Sequence, residues 1–96
     1  MQKGSLEAEN FFQDMKGKSI LITGSTKGIG LEIARIMLAS GANVVVNSRS
    51  QKDVETTVRK LEEDPKTRGA VKGMHGDVGS FEECQRLADF TMQCFG

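Results

Sequence analysis

The sequence predicts an α/β protein built on a parallel sheet, in the order β-α-β-α-β-α, and three observations carry that prediction. Strand-like and helix-like hydrophobic patterns alternate three times along 96 residues. The connections between them are short, two to six residues, as right-handed crossovers between parallel neighbours allow. The first two strand-like runs are continuously apolar rather than alternating, which marks strands covered on both faces.

The first strand is "KSILITG" (18–24), a short apolar run ended by glycine. A helix-like stretch from Leu31 to Ser40 follows, with Ile29, Ile33, Ile36 and Met37 on one side and Glu32 and Arg35 away from it. Gly41 supplies its stop. The second strand, "ANVVVNS" (42–48), is dense in β-branched residues. Val54, Val58 and Leu61 then recur at helical spacing within 51–64, and Asp64-Pro65 closes that amphipathic helix. "AVKGMHGDV" (70–78) reads as a weaker third strand interrupted by Gly73 and Gly76. Last, Ser80-Phe81-Glu82-Glu83 has the form of a capping box and opens a helix with Phe81, Cys84, Leu87, Ala88, Thr91 and Phe95 along one face.

Composition narrows the function. Thirteen basic and thirteen acidic residues leave a formal net charge of zero, so no global field favours nucleic acid or an anionic membrane. No apolar run approaches a membrane span and there is no signal-peptide core. Cys84 and Cys94 match no metal spacing and are expected to be reduced, which fits a cytoplasmic protein. Residues 1–15 are mostly polar and read as a flexible arm, with Phe11 and Phe12 pinning its end to a body that spans 16–96.

"TGSTKGIG" (23–30) joins the first strand to the first helix. A glycine-rich turn at that junction leaves backbone N–H groups free at a helix N-terminus, where the helix dipole adds roughly half a positive charge. Together they make an anion site suited to a pyrophosphate. Gly24 permits the turn off the strand, Gly28 lets backbone approach a phosphate, and Gly30 allows close helix–strand packing. The alternative G-x-x-x-x-G-K-[ST] loop does not fit, because only three residues separate Gly24 from Gly28 and no Lys-Ser or Lys-Thr follows.

The second strand ends in "NSRS" (47–50). In dinucleotide-binding folds this position meets the adenosine ribose; a carboxylate there suits NAD, and a nearby arginine suits the 2′-phosphate of NADP. Ser48 and Arg49 occupy the place, and Lys27 in the glycine loop adds a second cation. Either cation alone is also at home in solvent, but the pair at one end favours NADP(H). Asp77 lies where an adenine amine would rest and is equally suited to capping the next helix. His75, within the third strand, has no partner at a catalytic spacing and reads as structural.

"KGKSILITGSTKGIGLEIA", "GANVVVNSRS" and "GDV" together resemble the N-terminal half of the short-chain dehydrogenase/reductase family over residues 16–96. "NSR" resembles its NADP-preferring members, such as 3-oxoacyl-acyl-carrier-protein reductases and tropinone-reductase-like enzymes. The resemblance implies a Rossmann-type sheet and hydride transfer between NADPH and a carbonyl or alcohol. It also implies cofactor contacts at Gly24, Ser25, Lys27, Gly28, Ile29 (through its backbone), Ser48, Arg49, Asp77 and Val78.

Such enzymes continue with an Asn-Asn-Ala-Gly segment, a catalytic serine and a Tyr-x-x-x-Lys pair. This sequence contains no tyrosine, so no residue in it takes a catalytic role, and none a metal. Two other readings stay open: a non-catalytic dinucleotide-binding or interaction module, and a non-redox relative such as an epimerase or lyase. In the strand order 3-2-1-4-5-6 the first strand is central. Ending before the fourth strand turns the first into an open edge, prone to self-association. A homo-oligomer is expected of the full-length protein.

Overall fold

The structure, a computed structural model, describes residues 15–96. Residues 1–14 of the expected N-terminal arm, with Phe11 and Phe12, lie outside them. The described residues form β1 (Ser19–Ile22), α1 (Gly28–Ala39), β2 (Asn43–Val46), α2 (Gln51–Glu63), β3 (Val71–Gly73) and α3 (Phe81–Phe95). The strands make one parallel sheet in the order β1-β2-β3, with Ile20 opposite Val44 and Val44 opposite Val71. This is the N-terminal half of a Rossmann-type α/β fold, as the alternating pattern predicts.

Strand alternation sends Ile20, Ile22, Val44, Val46 and Val71 to one face. There they pack with Ala34 and Leu38 of α1 and with Val54 and Leu61 of α2. Burying each large aliphatic of this kind is worth about 1.5–3 kcal/mol. Gly73 belongs to that face: a Cβ there would lie 2.4 Å from Val54 Cγ1 and 2.7 Å from Val58 Cγ2. It is therefore a seat for α2 inside the strand rather than an interruption of it. The opposite face receives Leu21 and Val45 by the same alternation. α3 covers it, since Ser19, which shares that face, donates its hydroxyl to the carbonyl of Phe95 at 3.4 Å.

Three expectations need correction. α1 begins at Gly28 rather than Leu31, and it buries Ala34 and Leu38 while Ile29, Ile33 and Ile36 stay exposed, Ile29 at 80%. The helix is apolar on two sides, and the side carrying the small Ala34 comes close to the sheet. α3 buries Leu87 and Thr91, whereas Phe81 is 81% exposed and Cys84 and Ala88 are also exposed. Its covered stripe is therefore rotated from the one that includes Phe81. β3 ends at Gly73 instead of continuing to 78, which leaves His75 in an exposed loop.

Candidate functional site

The three loops at the C-terminal ends of the strands enclose a cavity of about 500 Å³. The loop after β1 contributes Gly24, Thr26 and Lys27; the end of β2 and the start of α2 contribute Asn47, Ser48, Arg49, Ser50 and Asp53. Gly76, Asp77 and Val78 close it from the loop after β3. In open parallel sheets this is where ligands bind.

The helix ends differ in a way that matters here. α2 and α3 are capped by the side chains of Ser50 and Ser80, which accept from the N–H groups of Asp53 and Glu83. The N-cap of α1 is Lys27, whose side chain accepts nothing. The N–H groups of Gly28, Ile29 and Gly30 consequently have no acceptor among the described residues. They stand free at the positive end of a twelve-residue helix.

The loop that delivers them is held tightly. Gly24 and Gly28 have φ of +58° and +62°, which residues with a side chain rarely adopt. A Cβ on Gly30 would lie 2.5 Å from the carbonyl oxygen of Gly24. Gly30 thus packs the helix onto the turn itself, rather than onto the strand as the spacing suggested. Such a cradle, with free N–H groups and room beside it, fits a bound diphosphate.

Ser25, Gly28 and Ile29 stand apart from the other predicted site residues, since none of the three lines the cavity. Ser25 is fully buried, and its side chain is engaged internally. Its Oγ donates to the carbonyl of Ile22 at 2.7 Å and accepts from the backbone N–H of Asn47 at 2.9 Å. Its own N–H donates to the Asn47 carbonyl at 2.8 Å. Its hydroxyl therefore builds the loop and has no free direction toward a ligand. Ile29 and Gly28 offer their backbone only, Ile29 with its side chain in solvent.

The structure brings Lys27, Ser48, Arg49, Asp77 and Val78 together at the cavity. Neither Lys27 nor Arg49 forms an ion pair with a described residue. Asp77 does not cap α3; one of its oxygens, Oδ1, accepts from the N–H of Gly79 at 2.9 Å, and Ser80 is the cap. Asp53 and Asn47 also line the site and were not singled out from the sequence. Asp53 is placed by the first turn of α2, three residues beyond its cap. Asn47 is 2% exposed and sits at the end of an apolar run, where it reads as one more strand residue. Among the described residues no cluster of His, Cys, Asp or Glu is placed to hold a metal, and no helix is long and apolar enough to cross a membrane.

The family model described as short chain dehydrogenase matches residues 18–96. The chain is 42% identical over 81 residues to dehydrogenase/reductase SDR family member 4 of Caenorhabditis elegans, covering 84% of this chain and 30% of that protein. It is 41% identical over 86 residues to 3beta-hydroxysteroid dehydrogenase 1 of Eggerthella lenta, covering 88% of this chain and 32% of the relative. The structure of L-sorbose reductase from Gluconobacter frateurii, complexed with NADPH and L-sorbose, superposes with a TM-score of 0.78 at 32% identity over 85% of this chain and 30% of that one. The chain thus spans about a third of the length of the curated relatives it matches. The glycine turn, the bare helix end and the cavity at the strand termini all lie within the matched residues, and the chain belongs to the short-chain dehydrogenase/reductase family of oxidoreductases.

Proposed function

We propose that the cavity binds NADP(H), and that residues 16–96 are the cofactor-binding part of an enzyme moving hydride between NADPH and a carbonyl or alcohol. The uncapped N-terminus of α1, beside two cations without ion-pair partners among the described residues, carries this reading. The free N–H groups of Gly28 to Gly30 would hold the pyrophosphate. Arg49 would offer the 2′-phosphate a charge-assisted bond, worth about 1.5–3 kcal/mol, and Lys27 would add a second positive charge. Ser48, rather than a carboxylate, follows Asn47 at the β2 terminus. Asp77 keeps one carboxylate oxygen for the adenine amine, with Val78 beside it. When bound, the nicotinamide cofactor supplies or withdraws the hydride. The L-sorbose reductase, 32% identical, is complexed with that phosphorylated cofactor.

The groups that move the proton are assigned to sequence beyond these 96 residues, and the working protein to the cytoplasm as a homo-oligomer. The open side of β1, with the exposed isoleucines of α1, is the surface that further strands would cover. In the 96-residue chain alone the same edge favours pairing with a second copy, which sedimentation over a range of concentrations reads directly. The functional test is a titration of the intact protein with NADPH and NADH, followed by an assay of NADPH oxidation against a panel of ketones and aldehydes. Tighter binding of NADPH by at least about tenfold is expected. Equal affinities would remove the 2′-phosphate assignment, and absence of binding would remove the cofactor reading.

A further inference from the structure

We propose that Asn47 is a positioning residue that locks the three walls of the cofactor cavity into one rigid unit; the proposal rests on the dinucleotide reading above. Beyond β2 and β3 the backbone ladder still runs on, with Met74 N–H donating to Val46 O at 3.1 Å and Gly76 N–H to Ser48 O at 2.9 Å. Residues 46 and 48 thus face the β3 side, and alternation turns the peptide groups of Asn47 to the β1 side. β1 has already ended there. Ser25 takes its place, donating its N–H to the Asn47 carbonyl and accepting the Asn47 N–H at its Oγ.

The Asn47 side chain then reaches back the other way. Its amide nitrogen donates to the carbonyls of Met74 at 3.1 Å and Gly76 at 3.2 Å. Both partners are acceptors only, so the amide orientation follows from the chemistry and both of its N–H bonds are used. One buried residue therefore joins the pyrophosphate loop at Ser25, the ribose loop that begins at Ser48, and the adenine loop at Gly76. Such a clasp leaves the loops less freedom to lose on binding, which favours affinity without touching the ligand.

The side chain also bonds the segment that follows β3. It donates to the carbonyls of residues 74 and 76, while β3 itself ends at Gly73.

The test compares wild type with Asn47→Asp in the intact protein, with Kd for NADPH and NADH read from nicotinamide fluorescence across pH. A carboxylate has no N–H to give either carbonyl, so Kd at pH 8 should rise roughly tenfold for both nucleotides, with their ratio unchanged. Burial between two carbonyl oxygens raises the introduced carboxyl's pKa. As pH falls it protonates and can donate one bond, so the gap to wild type should narrow. Lys27, Arg49, Asp53, His75 and Asp77 are common to both proteins and cancel in the comparison.

Should Asn47→Asp fail to fold, Ser25→Ala removes the acceptor on the opposite side and should raise Kd about threefold. Unchanged Kd in whichever variant folds, with only a lower melting temperature, would overturn the positioning role and leave the cofactor reading intact. A wild-type protein that binds neither nucleotide would overturn both.

Discussion

The two ends of the sheet carry depressions of similar size, about 500 Å³ at the strand C-termini and about 530 Å³ at the N-termini. Each is lined by two cations, Lys27 and Arg49 at one end, Lys16 and Arg68 at the other. Volume does not separate them, and side-chain charge alone would favour the other end, because Asp53 and Asp77 offset the cations at the C-termini and no carboxylate lines the depression at the N-termini. The backbone does separate them. At the C-terminal end α1 presents three N–H groups without acceptors and the positive end of its dipole.

At the opposite end α1 presents carbonyls, and nearby N–H groups are spent on them. Ser40 donates to Ile36 O, while Gly41, Arg68 and Gly69 donate to Leu38 O. An anion there would meet the negative end of the helix, which offsets the attraction of Lys16 and Arg68. On the proposed function, the direction of the helix rather than the number of basic residues selects the binding end.

The substitution with the largest expected effect attacks the cradle itself. Gly30→Val drives a side chain into the Gly24 carbonyl and should cost about 1–3 kcal/mol of stability, read by chemical denaturation, with loss of detectable NADPH binding. Arg49→Ala should weaken NADPH by roughly ten- to hundredfold while leaving NADH within about twofold. Loss of both affinities together would place Arg49 elsewhere on the cofactor. Lys27→Ala is more modest, about two- to fivefold on NADPH and shrinking as salt is added, because the side chain is exposed. At the other end Arg68→Ala should change neither NADPH affinity nor, beyond about 0.5 kcal/mol, stability. A clear loss of affinity in that variant would erase the distinction between the two ends.

Much of this contrast is legible in the sequence. The glycine spacing after a β-branched run locates the turn, and "NSRS" places Arg49 beside it. Other features depend on distances that local patterns do not contain. Ser25 looks the same whether its hydroxyl meets a ligand or stands in for a strand, and only the end of β1 before β2 decides. Asn47 opens "NSRS", but that stretch does not report its side-chain partners, which lie 27 and 29 residues away at Met74 and Gly76. The isoleucines of α1 form a good helical stripe, but the sheet approaches the side with Ala34. Phe81 likewise shares a helical stripe with Leu87, yet only the Leu87–Thr91 side is covered. Asp53 enters the cavity through the direction in which α2 leaves Ser50.

The most direct test of the distinction is a map of backbone amide shifts as the isotopically labelled intact protein is titrated with NADPH. The expected result is large movement at 24–30, 48–50 and 76–78, greatest at Gly28 to Gly30, with Lys16, Gly41 and Arg68 unmoved. Shifts centred on Lys16, Gly41 and Arg68, or absent from Gly28 to Gly30, would contradict the claim that the bare N-terminus of α1 holds the cofactor.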